Sequence, residues 1–226
     1  MRANEFIVEE QLDEGLGNWL ASAVAAGLLS LAPGAQALTQ KQIDQTAQTL
    51  ATAPAQTLKK VAIASGITGN ELAQFLAQCA HETANFTTMK EHGGSLDFKK
   101  YDPKYAPKKA KALGNVQVGD GARYHGRGYI QLTGRDNYKR AGQALGLPLE
   151  QRPELVEKPE VAAKVAVWFW KSRVQPKVTN YHDTRQVTKP INPGLRGLAD
   201  RQAKVNAIKQ GALARPGQLA PRGQRT

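Results

Sequence analysis

Cysteine is almost absent. Cys79 stands alone among 226 residues, which excludes an intramolecular disulfide framework and any cysteine-rich zinc module. Histidine is scarce as well: His81, His92, His125 and His182 show no metal-ligand spacing. His81-Glu82 in particular lacks the second histidine that a zinc-protease helix would place on the same face. No metal and no organic cofactor is therefore expected. No internal repeat and no long series of strands is visible, so the body reads as mainly helical. Apolar residues make up 41% and charged residues 22% of the chain, ordinary proportions that exclude wholesale disorder.

Acidic charge is in deficit, with 19 Asp and Glu against 31 Lys and Arg. The deficit is uneven. Residues 1–16 hold one arginine and five acidic residues, a net charge of −4, so the remaining 210 residues carry +16. A body this basic is drawn to polyanions: nucleic acid, anionic lipid or an acidic wall polymer.

Charge is missing altogether from residues 15–40. Within them residues 19–32 are apolar but too short for a full membrane span, and Ala35-Gln36-Ala37 follows. This has the form of a signal-peptide core, but its acidic flank is wrong for one. Three readings of the leader (residues 1–40) stay open: an export or anchoring segment with transient membrane contact through residues 16–38, a virion-packaging segment, or a leader that is frayed or packed as a helix on the body. The opening Glu5-Phe6-Ile7-Val8-Glu9 and the run Leu12-Asp13-Glu14-Gly15 resemble the starts and protease sites of internal head proteins of large tailed phages. Residues 211–226, with Arg215, Arg222 and Arg225, read as a basic tail.

Between these ends, residues 39–52, 57–64, 134–145 and 198–210 read as helices, and Pro159 as a first-turn residue starts another. In that helix Val161, Val165, Trp168 and Phe169 are assigned to one face. The best-specified helix begins at Thr68-Gly69-Asn70-Glu71, which has the form of a capping box, with Ile67 and Leu72 placed as a hydrophobic staple. Leu72, Phe75, Leu76 and Cys79 continue as a core-facing stripe. Residues 88–128 read as irregular, and residues 129–132 as a short extended piece.

Glu82 falls three residues after Cys79, on the flank of the apolar face near the helix C-terminus. Partial desolvation and the negative helix end both favour a protonated carboxyl there, as a general acid requires. Nine residues on, Glu91 lies in a glycine-containing loop, and two carboxylates facing across a cleft suit glycosidic hydrolysis.

Three stretches then arrive in order: His81-Glu82-Thr83; the run Tyr124-His125-Gly126-Arg127-Gly128-Tyr129-Ile130-Gln131-Leu132-Thr133-Gly134-Arg135-Asp136-Asn137-Tyr138; and Ile191-Asn192-Pro193-Gly194 with Asp200-Arg201. Together they resemble family 19 of the glycoside hydrolases, which holds plant-type chitinases and many phage endolysins. The resemblance covers about residues 70 to 205. It implies a mainly α fold of the lysozyme-like α+β superfamily, with two helical lobes, a substrate cleft and at most a small β element, over residues 41–210. It implies Glu82 as general acid, Glu91 as the base that activates water, and Thr133 as a positioner of that water. Gln131 and Asn137 would bond sugar hydroxyl and N-acetyl groups, Tyr129 would offer an apolar platform, and Asn192 and Arg201 would shape subsites and the carboxylate network. The family inverts, which implies carboxyls ~6.5–9.5 Å apart with water between them. Pro193 departs from the glycine usual in chitinases, so the Asn192 loop is expected to differ in shape.

Three functions compete on this reading. A peptidoglycan hydrolase of the endolysin type, cutting the β-1,4 link between N-acetylmuramic acid and N-acetylglucosamine, suits the basic body and the leader. It would act as a monomer on the wall of a bacterial phage host. A chitinase on the same scaffold is the alternative. A virion-internal protein bound to DNA has charge as its main support, and no helix-turn-helix or RNA-binding signature accompanies it.

Overall fold

A computed structural model describes residues 39–212; the leader before residue 39 and most of the basic tail lie outside them. The described residues are mainly helical. In chain order the helices are α1 (Gln40–Leu50), α2 (Ala53–Ala64), α3 (Gly69–Glu82), α4 (Pro107–Leu113), α5 (Asp120–Arg123), α6 (Arg135–Leu145), α7 (Pro159–Phe169), α8 (Thr184–Thr188) and α9 (Leu198–Ala207). Among the described residues there is no strand, only two isolated antiparallel bridges, Lys90–Arg127 and Arg127–Leu132. The expected extended piece at residues 129–132 is instead a tight turn: Gly128 and Gln131 have φ of 72° and 50°, which lifts the chain out of extended geometry.

Capping follows local chemistry, with one exchange. Thr39 and Gln42 form a reciprocal capping box at the start of α1. At α3 the anticipated box does not form, because the Thr68 side chain makes no capping bond. Glu71 instead accepts hydrogen bonds from Trp170 Nε1 and Gln175 Nε2, both at 2.7 Å. A carboxylate answering two donors beside a buried indole does more than it could by reaching back to its own helix. Pro107, at the first turn of α4, starts a helix in the stretch expected to be irregular, and Gly114 ends it in the left-handed conformation at φ 68°.

Two apolar clusters form the core. The first joins α2, α3 and the chain after α7 through Leu58, Ile67, Leu72, Phe75, Leu76 and Trp170; Phe75 and Trp170 meet edge to face at 5.2 Å. The second holds Tyr124, Leu132, Tyr138, Leu149, Val156 and Val165. Helix α7 is the wall they share, since Ala162, Ala163, Ala166 and Val167 face the first cluster. Val161, Val165 and Trp168 face the second, whereas Phe169 turns to the first. The four residues therefore divide between two faces, because α7 is enclosed on both sides.

Candidate active site

Helix α3 carries a second stripe beside its apolar one. Asn70, Gln74, Gln78 and Glu82 recur every fourth residue and so lie in one row. Each meets the chain between residues 181 and 201. Asn70 Nδ2 is 2.9 Å from His182 Nε2. Gln74 Nε2 donates to Tyr181 O at 3.1 Å and Thr184 Oγ1 at 3.0 Å. Gln78 Nε2 donates to Thr188 Oγ1 at 3.0 Å, and Gln78 Oε1 accepts from Arg201. Arg201 then donates from its other terminal nitrogen to Glu82 Oε1. Its neighbour Asp200 meets His81 Nδ1 at 2.6 Å, so two successive residues of α9 grip two successive residues of α3.

Arg201 is 1% exposed. It is neither a surface helix charge nor a group that reaches sugar; it orients the Glu82 carboxyl from inside, by a charge-assisted bond. Burial pushes the Asp200 carboxyl up, but hydrogen bonds from His81 and Lys204 outweigh it and hold the group below its usual range. Cys79 is fully packed as expected, and burial, with Glu82 nearby, raises its thiol far out of reach of ionisation.

After α3 the chain reverses sharply. Ala84, Asn85 and Phe86 all have left-handed φ, at 47°, 63° and 63°, a conformation that costs about 1–2 kcal/mol per residue. Thr83 offsets part of this by donating to Cys79 O at 2.7 Å and accepting from the Phe86 N–H at 3.0 Å. Phe86 is then buried edge to face against Tyr129 at 5.9 Å. The reversal returns Glu91 to the central motif, where its N–H donates to Gly126 O at 2.8 Å.

Around Gly126 the polar atoms converge. A methyl built on Gly126 would lie 2.8 Å from Gln131 Oε1 and 3.3 Å from both Glu91 Oε2 and Thr133 Oγ1. The lack of a side chain on Gly126 is what lets these three oxygens approach its backbone so closely. Glu91 Oε1 accepts from Lys100 Nζ at 2.7 Å and Tyr101 OH at 3.1 Å, and Oε2 from Gly126 N–H at 3.3 Å. Burial pushes the Glu91 carboxyl up, yet these donors win and hold it below the ordinary value. A half-buried carboxylate kept ionised among these polar atoms is equipped to take a proton from water.

The remaining expectations divide. Gln131 and Thr133 stand in this group; Gln131 is held by its Nε2 bond to Gly128 O at 3.1 Å and Thr133 by its hydroxyl bond to Gln131 O at 2.9 Å. Asn137 is committed at both ends of its amide, to Thr133 O at 2.7 Å and Arg173 Nη2 at 2.8 Å, and so braces the Thr133 segment. Asn192 closes its own loop by accepting from Gly194 N–H at 3.1 Å. Tyr129 must be corrected. It is 0% exposed, and its hydroxyl donates to Pro54 O at 2.6 Å, so no ring face is open to a sugar. Lys100, Tyr101, Gln78 and the His81–Asp200 pair were not anticipated. For Gln78 a signal did exist, in the four-residue spacing of amides that ends on Glu82.

The fold and the family to which the sequence matches define a glycosidase of the chitinase-like class. The glycoside hydrolase family 19 model, described as chitinase class I, matches residues 46–194. The chain belongs to glycoside hydrolase family 19. A Haemophilus influenzae protein described as a glycosyl hydrolase family 19 domain-containing protein is 36% identical over 158 residues, 60% of this chain and 77% of that protein. Chitinase 11 of Oryza sativa is 39% identical over 123 residues, but the match spans only 42% of the rice protein and 50% of this chain. Among solved structures, a bacterial family 19 chitinase superposes with a TM-score of 0.56 at 25% identity, covering 80% of this chain and 97% of that one. Chitinase C of Streptomyces griseus gives 0.53 at 28% identity, over 75% and 88% of the two chains.

Proposed function

We propose that this protein is a peptidoglycan hydrolase of the endolysin type, cleaving the β-1,4 bond between N-acetylmuramic acid and N-acetylglucosamine in the wall of a phage host. The observation that carries the chemistry is the convergence of Glu91, Thr133 and Gln131 on the space beside Gly126, with Glu82 separately fixed by Arg201. Glu82, held by Arg201 through Oε1, carries its proton on Oε2 and delivers it to the glycosidic oxygen as the bond to the anomeric carbon breaks. Water attacks that carbon from the opposite face and gives its proton to Glu91, so one water is consumed and the configuration inverts. Thr133 and Gln131 align the water. Solvent then returns a proton to Glu82 and removes one from Glu91.

Charge supports the choice of polymer. The body carries a large basic excess, and Lys100 stands at the base itself. A wall glycan bearing carboxylates gains from that field, whereas uncharged chitin does not. Chitin is the second reading, favoured by the chitinases among the related proteins.

Product analysis by mass spectrometry separates the two. New reducing-end N-acetylmuramic acid from purified peptidoglycan, absent with Glu82→Gln, is the expected result. Cleavage of chitin oligomers with no sugar ends released from peptidoglycan would move the protein to the chitinase reading.

A further inference from the structure

Leu96, Tyr105, Val116 and Val118 are the exposed large apolar side chains among the described residues, at 52–72% exposure. All four fall within residues 96–118. The same stretch holds Lys99, Lys100, Lys104, Lys108, Lys109 and Lys111, and no arginine. Lys100 is engaged with Glu91. The other five form no ion pair among the described residues, and four of them are exposed. The stretch holds two acidic residues against the six lysines, Asp97 and the buried Asp102.

The apolar loop is also held rigidly. Asn115 Nδ2 donates to Tyr101 O at 2.8 Å, and the Gly119 N–H to Asp102 Oδ2 at 2.6 Å. The Val116 and Gln117 N–H groups donate to Asp120 Oδ2 at 2.8 and 3.0 Å, and Arg135 holds Asp120 in turn at 2.6 Å. Val116 and Val118 are thus displayed by a braced loop.

We propose that residues 96–118 form a docking surface for an anionic lipid bilayer. Exposed aliphatic side chains on the same short stretch as exposed lysines suit the boundary between acyl chains and charged headgroups, where long lysine stems lie along apolar surface while the ammonium meets phosphate. The features a nucleic acid or a glycan would recognise are weaker. No planar guanidinium is offered to phosphate. The rings of Tyr101 and Tyr105 carry lysine ammonium groups over them, Lys99 and Lys109 each at 4.7 Å, where a base or sugar would stack. Because Lys100 ties this stretch to Glu91, docking would bring Glu91 to the wall layer next to the membrane.

The test is co-sedimentation of the full chain with sucrose-loaded vesicles, of phosphatidylcholine alone or with phosphatidylglycerol. Two variants are compared: Leu96→Ser/Val116→Ser/Val118→Ser, and Lys104→Gln/Lys108→Gln/Lys109→Gln/Lys111→Gln. The unmodified chain should prefer the anionic vesicles, and each variant should lose at least tenfold in partitioning while keeping its melting temperature. Binding unchanged in both variants overturns the proposal, since residues 1–38 are intact in each. Loss in the lysine variant alone reduces the surface to non-specific adsorption and also overturns it. So does an absence of vesicle binding combined with lysine-dependent binding to purified sacculi. None of these outcomes depends on whether the glycosidase reading holds.

Discussion

Replacing Gly126 by alanine separates the site from the fold. Gly126 does not occupy the left-handed region, so alanine brings no backbone strain. The atoms nearest the new methyl would be the ends of side chains: Gln131 Oε1 at 2.8 Å, and Glu91 Oε2 and Thr133 Oγ1 at 3.3 Å. Gln131 must retreat by roughly half an ångström to reach ordinary van der Waals contact, and the crowding displaces the oxygens assigned to hold the attacking water. A misplacement of about 1 Å can cost ~100-fold in rate, equivalent to about 2.7 kcal/mol of barrier. Stability should change by less than about 1 kcal/mol, because the neighbours are flexible. The assay is release of reducing ends from purified peptidoglycan, read beside a thermal melt. A rate within threefold of the parent, in a folded variant, would refute the assignment of catalysis to this cluster. A fall in rate matched by a large fall in melting temperature would refute the separation of site from fold. Gly121→Ala is the contrasting control. There the methyl would meet the backbone of Phe98, Tyr101 and Asp102, and destabilisation should lead.

Further predictions concern the two carboxyls. Glu82→Gln should lower kcat by about 10³-fold with an unchanged melt, as expected for a general acid; near-normal turnover would remove Glu82 from that role. Lys100→Met removes the chief donor holding Glu91 ionised, so burial pushes its carboxyl upward and the acid limb of kcat/KM moves to higher pH. An unmoved acid limb would place the base elsewhere. Arg201→Met leaves Gln78 Oε1 and Glu82 without their shared partner. It should destabilise by about 3 kcal/mol, a fall of about 6–12 °C in melting temperature, and also lower kcat. A stable variant with full activity would show that Arg201 positions nothing.

What could be read in the sequence was mostly local. Pro159, the stripe from Leu72 to Cys79 and the helix starting at Leu198 follow from periodicity and end signals, and the structure contains each of them. The failures arise where a distant partner outbids a near one. Glu71 could have capped its own helix, but Trp170 and Gln175 lie about a hundred residues away and claim it. Tyr129 stands beside a run of polar site residues, yet its hydroxyl finds Pro54, across the first cluster. Arg201 has no local feature that announces burial; its place is set by Gln78 and Glu82 on another helix. Glu82 could be proposed from its motif and Glu91 from its short spacing to Glu82, whereas Lys100 and Tyr101, which hydrogen-bond Glu91, lie in a stretch with no periodicity to read.

The row of amides on α3 has a temporal meaning. Its partners all lie between residues 181 and 201, so the carboxyl of Glu82 is oriented by a part of the chain synthesised long after it. A ribosome-bound or truncated chain ending before Arg201 contains both carboxyls and the whole central motif, but not the guanidinium that aims the acid. Competence of the site therefore comes late in the life of each molecule, when α9 settles against α3.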